Sequence, residues 1–202
     1  MEFKGKRILI VGIARSGIAA AKSLTKREAV LFACDRKTND ELGEILLELK
    51  TLGVEVYTGS YPQVSKDRFD LLVASPGVPL DIAPFIEADN SGVPIIGELE
   101  LAYLLKPDNV DLYAISGTNG KTTTVSLLQA ILAADGRMAL AGGNIGIPLT
   151  NLVDSMTAGV IVVEASSFQL ETTCHFKPHI SALLNITPDH LDRHKSMEGY
   201  IK

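Results

Sequence analysis

The chain has little of what disulfide-bonded, secreted or membrane-spanning proteins need. It has no tryptophan and only two cysteines in 202 residues, Cys34 and Cys174, which lie outside any C-x-x-C pattern. Such sparse cysteines favour a reducing compartment, and both thiols are expected to be buried and inert. No run approaches the roughly eighteen apolar residues of a membrane span, and no apolar signal segment follows Met1. These absences predict a cytoplasmic protein.

Basic residues are also in short supply. The 19 lysines and arginines are outnumbered by 24 aspartates and glutamates, which gives a net charge of −5. Without a basic face to follow a polyphosphate backbone, nucleic acid is not an expected partner. A hydrophobic content of 46% with 21% charged residues is ordinary for a globular chain with a real core. We expect a monomer that binds small molecules and no membrane.

Short β-branched runs alternate with longer stretches of helical period, a pattern that predicts βαβ units and parallel sheets, so the fold class is α/β. A helical pattern ends at 106–109 (Lys-Pro-Asp-Asn). We place a boundary there, between a Rossmann-like domain, 1–106, and a second α/β domain with a phosphate loop, 107–202. The expected strands are 8–11, 30–34, 54–57, 71–74, 94–96, 112–116, 160–163 and 180–184, and the expected helices are 16–26, 39–52 (capped by Asn39) and 122–134.

The second domain opens with a glycine-rich loop, 117–123, between an expected strand and an expected helix. Phosphates are bound by converging backbone N–H groups, the positive end of a helix and a lysine, and this segment supplies all three. The full phosphate-loop pattern has a glycine where Ile115 stands, so the loop is a variant. A turn that only connects strand to helix would not require a lysine followed by three hydroxyl residues. The predicted ATP-binding residues are Gly117, Thr118, Asn119, Gly120, Lys121, Thr122 and Thr123.

Four separated segments resemble one family in order and spacing: 117–123 (GTNGKTT), 142–146 (GGNIG), 164–172 (EASSFQLET) and 185–192 (NITPDHLD). Together they are similar to the Mur ligases, most of all to the branch that adds D-glutamate, and the resemblance spans the whole chain. It implies a Rossmann-like substrate domain followed by the Mur ligase central domain. It also implies a ligase dependent on ATP and Mg²⁺, which joins D-glutamate to UDP-N-acetylmuramoyl-L-alanine through an acyl phosphate in peptidoglycan precursor synthesis.

The resemblance assigns the catalytic chemistry to a few side chains. Lys121 would lie against the β- and γ-phosphates of ATP. The Thr122 hydroxyl and the Glu164 carboxylate would ligate Mg²⁺, and His190 would reach a second Mg²⁺. Glu164 also ends an apolar strand, which is where parallel sheets place their ligands.

Two further polar residues are assigned to the substrate. Asn144 would contact the reacting carboxylate and Ser166 would be a substrate neighbour; no base is linked to this serine by a motif, so nucleophilic catalysis has little support. A transition-metal site is the alternative for His190, which has His194 at helical spacing. Leu191 stands where the zinc-protease pattern has glutamate, which leaves zinc the weaker hypothesis.

The segment 12–17 (GIARSG) imitates the dinucleotide fingerprint. The middle glycine, which lets backbone approach a pyrophosphate, is Ala14 here, and this departure disfavours NAD. The resemblance implies that the turn holds the UDP part of the substrate instead. The segment 75–77 (SPG) on its own is a proline-stiffened turn, but it too has a counterpart in the family. The predicted substrate-binding residues are Arg15, Ser16, Asp35, Arg36, Ser75, Pro76, Gly77, Asn144 and Ser166.

Mur ligases have a third domain that binds the incoming amino acid, and we expect that this chain lacks it and makes no ligation product alone. The family's carbamate lysine lies beyond a tyrosine matching Tyr200, past the last residue here, so Lys202 is not given its role. Other branches usually carry histidine or lysine where Asn119 stands, which favours D-glutamate over another amino acid. Folylpolyglutamate synthase shares the loop but has no UDP-binding domain ahead of it. A non-catalytic nucleotide-binding module is the remaining alternative.

Overall fold

The computed structural model describes residues 2–201; Met1 and Lys202 lie outside the described residues. The first half of the chain forms a five-stranded parallel sheet with the strand order β3-β2-β1-β4-β5. From β1 the chain adds β2 and β3 on one side of the sheet and then β4 and β5 on the other, which makes the gap between β1 and β4 the switch point of the sheet. Ligands of such sheets bind at the carboxyl ends of the strands at this point. Its elements are β1 (Arg7–Val11), α1 (Arg15–Thr25), β2 (Val30–Asp35), α2 (Asn39–Leu42), α3 (Glu44–Thr51), β3 (Glu55–Thr58), β4 (Leu71–Ala74), α4 (Ala83–Ser91), β5 (Ile95–Gly97) and α5 (Glu98–Leu105).

The second half forms a four-stranded parallel sheet with the order β7-β8-β6-β9. Its first strand, β6, lies between β8 and β9, so the loop that follows β6 stands between the ends of both neighbours. The elements are β6 (Val110–Ser116), α6 (Lys121–Ala134), β7 (Ala139–Gly143), α7 (Leu149–Ser155), β8 (Gly159–Glu164), α8 (Ser167–Leu170), β9 (Ile180–Leu183), α9 (Leu191–His194) and α10 (Met197–Ile201).

The central strands are apolar throughout because both of their faces are covered. In β1, Ile8 and Ile10 pack into one core while Leu9 and Val11 pack into a second core on the opposite face. All four side chains are 0% exposed. The two parallel sheets, each with helices between its strands, confirm the predicted α/β fold class.

The structure differs from the predicted elements around α2. The expected single helix over 39–52 is broken at Gly43, whose φ of +47° is unfavourable for residues with a side chain. Thr38, not Asn39, stands at the start of α2, and its N–H donates to the Glu41 carboxylate over 2.8 Å. Strand β7 lies in a stretch for which no strand was expected, because its sequence ends in two glycines.

The two cysteines have different environments. Cys34 is buried as expected, and burial raises the pKa of its thiol to about 12. Cys174 is exposed, so the expectation that both thiols are buried was wrong for this residue. It lies in a loop whose backbone N–H groups point towards Glu100, which leaves the side chain outside. No helix within residues 2–201 is long and apolar enough to cross a membrane.

Helix α5 joins the two halves of the chain. Its Leu101 belongs to the core of the first sheet, whereas Leu99 and Ala102 belong to the core of the second. A hydrogen bond also connects the two halves: the half-buried Arg27 donates to Asp154 over 2.9 Å. Because one helix serves both cores, the boundary between residues 106 and 107 stays a prediction.

Candidate functional site

The loop after β6 has a backbone that only glycine adopts readily. Gly117 has a φ of +137°, and a Cβ built there would lie 3.1 Å from the Asn185 carbonyl oxygen. Gly120 has a φ of +85° and stands immediately before α6. Glycine therefore allows the chain to leave the sheet, turn tightly against the 184–185 segment and enter a helix within four residues.

Asn185 supports this loop from below. Its carbonyl oxygen accepts the Thr118 N–H over 3.0 Å, and its side-chain oxygen accepts the Asn119 N–H over 2.9 Å. The Asn185 side-chain amide donates back to the Asn119 carbonyl over 3.0 Å. Sequence reasoning included Asn185 in a motif but gave it no role, and its contacts now show that it shapes the loop.

Lys121 places a positive charge at the mouth of the loop. Its ammonium donates to the carbonyl oxygens of Gly117, over 2.5 Å, and Thr118, over 2.9 Å. The lysine is also the first residue of α6, whose first-turn N–H groups have no partner within the helix. Helix dipole and ammonium thus act together at one end of α6, an arrangement that attracts anions.

Glu164 is the acidic centre of the site. It ends β8, is 2% exposed, and accepts hydrogen bonds on both carboxylate oxygens. Thr122 donates from its hydroxyl over 2.8 Å, and Asn144 donates from its side-chain amide over 2.8 Å. The structure therefore brings three predicted residues from three different segments into one contact. A buried carboxylate beside a hydroxyl is the kind of oxygen donor set that suits Mg²⁺.

His190 stands apart from this set. Its ring packs on Phe168 with 4.8 Å between ring centroids, and no hydrogen bond among the described residues joins it to Thr122 or Glu164. His194, its partner in the zinc hypothesis, contacts the Ser167 hydroxyl over 2.9 Å. Within residues 2–201 no group of three or more histidine, cysteine, aspartate or glutamate side chains is placed to hold a metal.

The turn after β1 is held by side chains from two neighbouring strands. Asp35, at the end of β2, accepts the Ile13 N–H over 2.9 Å. Ser75, which follows β4, donates from its hydroxyl to the Gly12 carbonyl over 2.6 Å. Arg36 is exposed beside Asp35. The predicted residues of the first sheet thus meet at the switch point, where Asp35 and Ser75 shape the turn.

A cleft of about 220 Å³ lies between the two halves of the chain. Arg15 crosses its edge and donates to the Gly146 carbonyl over 3.2 Å. Ser166 does not line the cleft; its hydroxyl accepts the Gln169 N–H over 3.3 Å and so caps α8. The cleft lining combines predicted substrate residues of both sheets: Arg15, Ser16, Ser75, Pro76, Gly77 and Asn144, together with Ala14, Gly143, Gly146, Pro148 and Gln169.

Each half of the chain matches the model of a known protein family. A family model described as "Mur ligase MurD-like, N-terminal domain" matches residues 6–97, and one described as "Mur ligase middle domain" matches residues 115–202. The chain belongs to the Mur ligase family.

Curated relatives of this Mur ligase chain are named UDP-N-acetylmuramoylalanine--D-glutamate ligase. The protein from Acidobacterium capsulatum is 47% identical and that from Clostridioides difficile is 45% identical. The alignments cover 100% of this chain but only 43% and 45% of those proteins. The chain therefore spans less than half the length of the curated relatives it matches.

Solved structures of Mur ligases share the fold at low identity. The UDP-N-acetylmuramate:L-alanyl-gamma-D-glutamyl-meso-diaminopimelate ligase from Neisseria meningitides is 21% identical with a TM-score of 0.59, over 97% of this chain and 65% of that one. MurC from Thermotoga maritima is 22% identical with a TM-score of 0.55, over 96% of this chain and 45% of that one. At such identities the likeness establishes the arrangement of strands and helices alone.

Proposed function

We propose that this chain provides the UDP-substrate and MgATP sites of a cytoplasmic ligase that adds D-glutamate to UDP-N-acetylmuramoyl-L-alanine. The observation that carries the proposal is the position of Asn144. Its side chain donates to Glu164 beneath the phosphate loop, and the same residue lines the cleft between the two halves. A nucleotide site and a substrate cleft that share one residue suit a reaction in which a substrate carboxylate receives a phosphoryl group. The names of the curated relatives support D-glutamate as the amino acid added.

On the nucleotide side, Lys121 would exchange its contacts with the loop carbonyls for the outer phosphates of ATP, and the first N–H groups of α6 would donate to the remaining phosphate oxygens. Thr122 and Glu164, already 2.8 Å apart, would hold Mg²⁺. The bound ion would offset the negative charge that develops on the transferred phosphoryl group. His190 is proposed as a ligand of a second Mg²⁺.

On the substrate side, the UDP moiety would lie at the switch point of the first sheet. Arg15 is exposed and makes one hydrogen bond to Gly146, so its guanidinium is available for the diphosphate at little cost. Ser16 lines the cleft in the first turn of α1, whose first backbone N–H groups have no partner within the helix. The Pro76 turn closes the opposite edge. The muramoyl-alanine part would then extend towards Asn144 and the phosphate loop.

Calorimetric titration of this chain tests both sites. We expect separate binding of UDP-N-acetylmuramoyl-L-alanine and of the Mg²⁺ complex of a non-hydrolysable ATP analogue. Arg15→Ala should weaken only the first and Lys121→Ala only the second. Lys50→Ala, an exposed lysine on α3, serves as the matched control and should change neither. Absence of either ligand, or loss of both in one single-site variant, would contradict the two-site proposal.

The amino acid is tested with the complete reading frame that encodes this chain. The purified protein is given UDP-N-acetylmuramoyl-L-alanine, MgATP and one amino acid at a time, and products are identified by mass spectrometry. We expect product with D-glutamate. Product with a different amino acid would assign the chain to another branch of the family, and binding without any product would favour the nucleotide-binding module.

A further inference from the structure

Arg193 makes a contact between the two halves that the proposed site does not use. It lies in α9, in the second half of the chain, and donates to the Pro76 carbonyl in the first half over 3.2 Å. Pro76 belongs to the turn that closes one edge of the cleft. We propose that Arg193 is a positioning residue that holds the 75–77 turn at the distance from the phosphate loop that the UDP substrate requires. The inference rests on the proposed function of the cleft.

Three contacts fix the Arg193 guanidinium in place. Besides Pro76, it donates to the Glu171 carboxylate over 2.7 Å, and its Cζ lies 4.3 Å from the centroid of the Phe168 ring. Only 22% of its side chain is exposed. Stacking on an aromatic ring leaves the in-plane N–H groups free to donate, so one guanidinium can satisfy an acid and a carbonyl together.

The platform under Arg193 is itself tied to the phosphate loop. His194 packs against Phe168 at 5.5 Å on one side and against the Tyr200 ring at 5.0 Å on the other. The Tyr200 hydroxyl lies 3.0 Å from the Thr118 hydroxyl in the loop. A continuous row of packed rings therefore connects the nucleotide loop with the arginine that touches the 75–77 turn.

Arg193 and Arg15 join the two halves of the chain in opposite directions, and their surroundings differ. Arg15 is exposed and has one hydrogen bond across the cleft, so it can be released to a ligand. Arg193 is paired, stacked and mostly covered, so releasing it would break several contacts at once. The exposed arginine with one hydrogen bond suits ligand binding, whereas the covered and paired arginine suits positioning.

Within the first half of the chain, hydrogen bonds hold the 75–77 turn at its Ser75 end. The Ser75 hydroxyl donates to Gly12, and the Val78 N–H donates to the Ser75 carbonyl over 3.0 Å. Gly77 is exposed and has open space where a side chain would be. Without Arg193, the turn would keep its contacts within the first half, including Val78 packed against the core of the first sheet, but no hydrogen bond among the described residues would join it to the second half.

The test compares three variants in calorimetric titrations with UDP-N-acetylmuramoyl-L-alanine and with the Mg²⁺ complex of the ATP analogue. Arg193→Ala should weaken the UDP substrate about tenfold, because a charged donor that orders the cleft is lost. Affinity for the analogue should stay within about twofold, because the loop keeps all its contacts. Arg193→Lys should not restore binding, since an ammonium cannot stack and donate twice in one plane. Arg137→Ala, which removes a paired and exposed arginine outside the cleft, is the control.

Amide hydrogen exchange gives a readout that needs no ligand. Exchange at Val78, whose N–H donates to the Ser75 carbonyl, should be faster in Arg193→Ala than in the parent chain, and unchanged in Arg137→Ala. If the parent chain does not bind the UDP substrate, the proposed function fails while the exchange result still tests the contact. Equal substrate affinity in Arg193→Ala and the parent would overturn the inference. So would a parallel loss of both ligands with a lower melting temperature, which would mark Arg193 as merely structural.

Discussion

The two turns that follow β1 and β6 share a backbone plan but differ in how their polar groups are used. Both leave a buried parallel strand through a glycine with positive φ and enter a helix. In the first turn, Asp35 accepts a hydrogen bond from a backbone N–H and Ser75 donates one to a backbone carbonyl, so side chains hold the turn in shape. In the second turn Asn185 also bonds to the backbone, but the carboxylate of Glu164 contacts the side chains of Thr122 and Asn144, and the first N–H groups of α6 are left for a ligand.

This difference shows that the strand–turn–helix plan alone does not decide which anion is bound. The first turn has an arginine that reaches away, across the cleft, whereas the second has a lysine folded over the turn itself. The first turn is therefore an open surface with the exposed Arg15 guanidinium at its edge. The second is a compact pocket with a fixed cation, a hydroxyl and a buried acid, which suits a polyphosphate with its metal.

The shape of the first turn depends most strongly on Gly17. A Cβ built there would lie 2.1 Å from the Gly12 carbonyl oxygen, a backbone atom that cannot move without shifting β1. Gly17→Ala should lower the free energy of unfolding by about 3 kcal/mol, the upper range for forcing an atom into a packed site. Urea denaturation measures this loss. Gly77→Ala is the control, since nothing lies within 4 Å of its added methyl group; equal stability of the two variants would show that the turn is not sterically closed.

The charge of the second turn depends on Lys121. Lys121→Ala should weaken the Mg²⁺ complex of the ATP analogue about 100-fold, or about 2.7 kcal/mol, because a charged hydrogen-bond donor to phosphate is lost. UDP-substrate affinity should not change. Because the lysine is partly exposed at the first position of α6, the melting temperature should stay close to that of the parent. An ATP-analogue affinity within threefold of the parent would show that the loop does not act through this ammonium.

Most of this second turn could be predicted from sequence because its parts are contiguous. A strand, a glycine-rich loop and a helix that begins with a lysine and hydroxyl residues follow one another in the sequence. The structure contains this strand, loop and helix in that order. Glu164 and Asn144 were expected near it from the family resemblance. Their meeting follows from topology, since the ends of parallel neighbouring strands share one edge of the sheet.

The missed features are contacts between segments far apart in the chain. Asn185 supports the loop and Arg193 reaches Pro76, but neither pairing leaves a periodic or local signal in the sequence. The break at Gly43 was missed because helical spacing of leucines continues across it, whereas only the backbone φ shows the break. Strand β7 pairs with β8 despite two glycines, which illustrates that neighbouring strands override weak β propensity.

A substitution of Glu164 separates the contribution of Mg²⁺ to binding from that of the nucleotide. Glu164→Gln keeps a hydrogen-bond acceptor for Asn144 but removes the negative charge that would face Mg²⁺. We expect affinity for the analogue to fall about tenfold in the presence of Mg²⁺, or about 1.4 kcal/mol, and to change little with EDTA. The comparison is made by titration of parent and variant under both conditions. If Mg²⁺ strengthens binding equally in both proteins, Glu164 does not hold the ion.

The halves that carry the two turns meet at α5, where two buried glutamates have opposite pKa shifts. Burial raises the pKa of Glu98, because the hydrogen bonds that it accepts from Thr150 do not compensate; its Oε2 has no partner among the described residues. Burial also acts on Glu100, but four hydrogen bonds from the 174–176 segment outweigh it and lower the pKa. One joint thus holds one acid that resists ionisation and one that favours it.

The two glutamates should therefore give opposite dependences of stability on pH. Both are protonated in the folded and unfolded protein well below the unfolded pKa of about 4.3, where neither shift matters. As pH rises above that value, the folded state resists losing the Glu98 proton, so this residue increasingly destabilises the fold. Glu100 ionises more readily in the folded state, so its stabilisation is present above the unfolded pKa and is lost as pH falls through its lowered folded pKa.

Glu98→Gln should accordingly raise the free energy of unfolding by about 1 kcal/mol at pH 7, and Glu100→Gln should lower it by a similar amount. Both differences should shrink as the pH falls through the carboxyl range, because the parent residues become protonated there. Urea denaturation from pH 3.5 to 7 of the parent and the two variants measures both slopes. Gln resembles the protonated acid in size, so packing changes little; in Glu100→Gln the side-chain NH2 group also cannot accept the hydrogen bonds of one carboxylate oxygen, which adds to the expected loss. Parallel slopes for the two variants would show that the glutamates share one environment, and that the four hydrogen bonds to Glu100 do not distinguish it from Glu98.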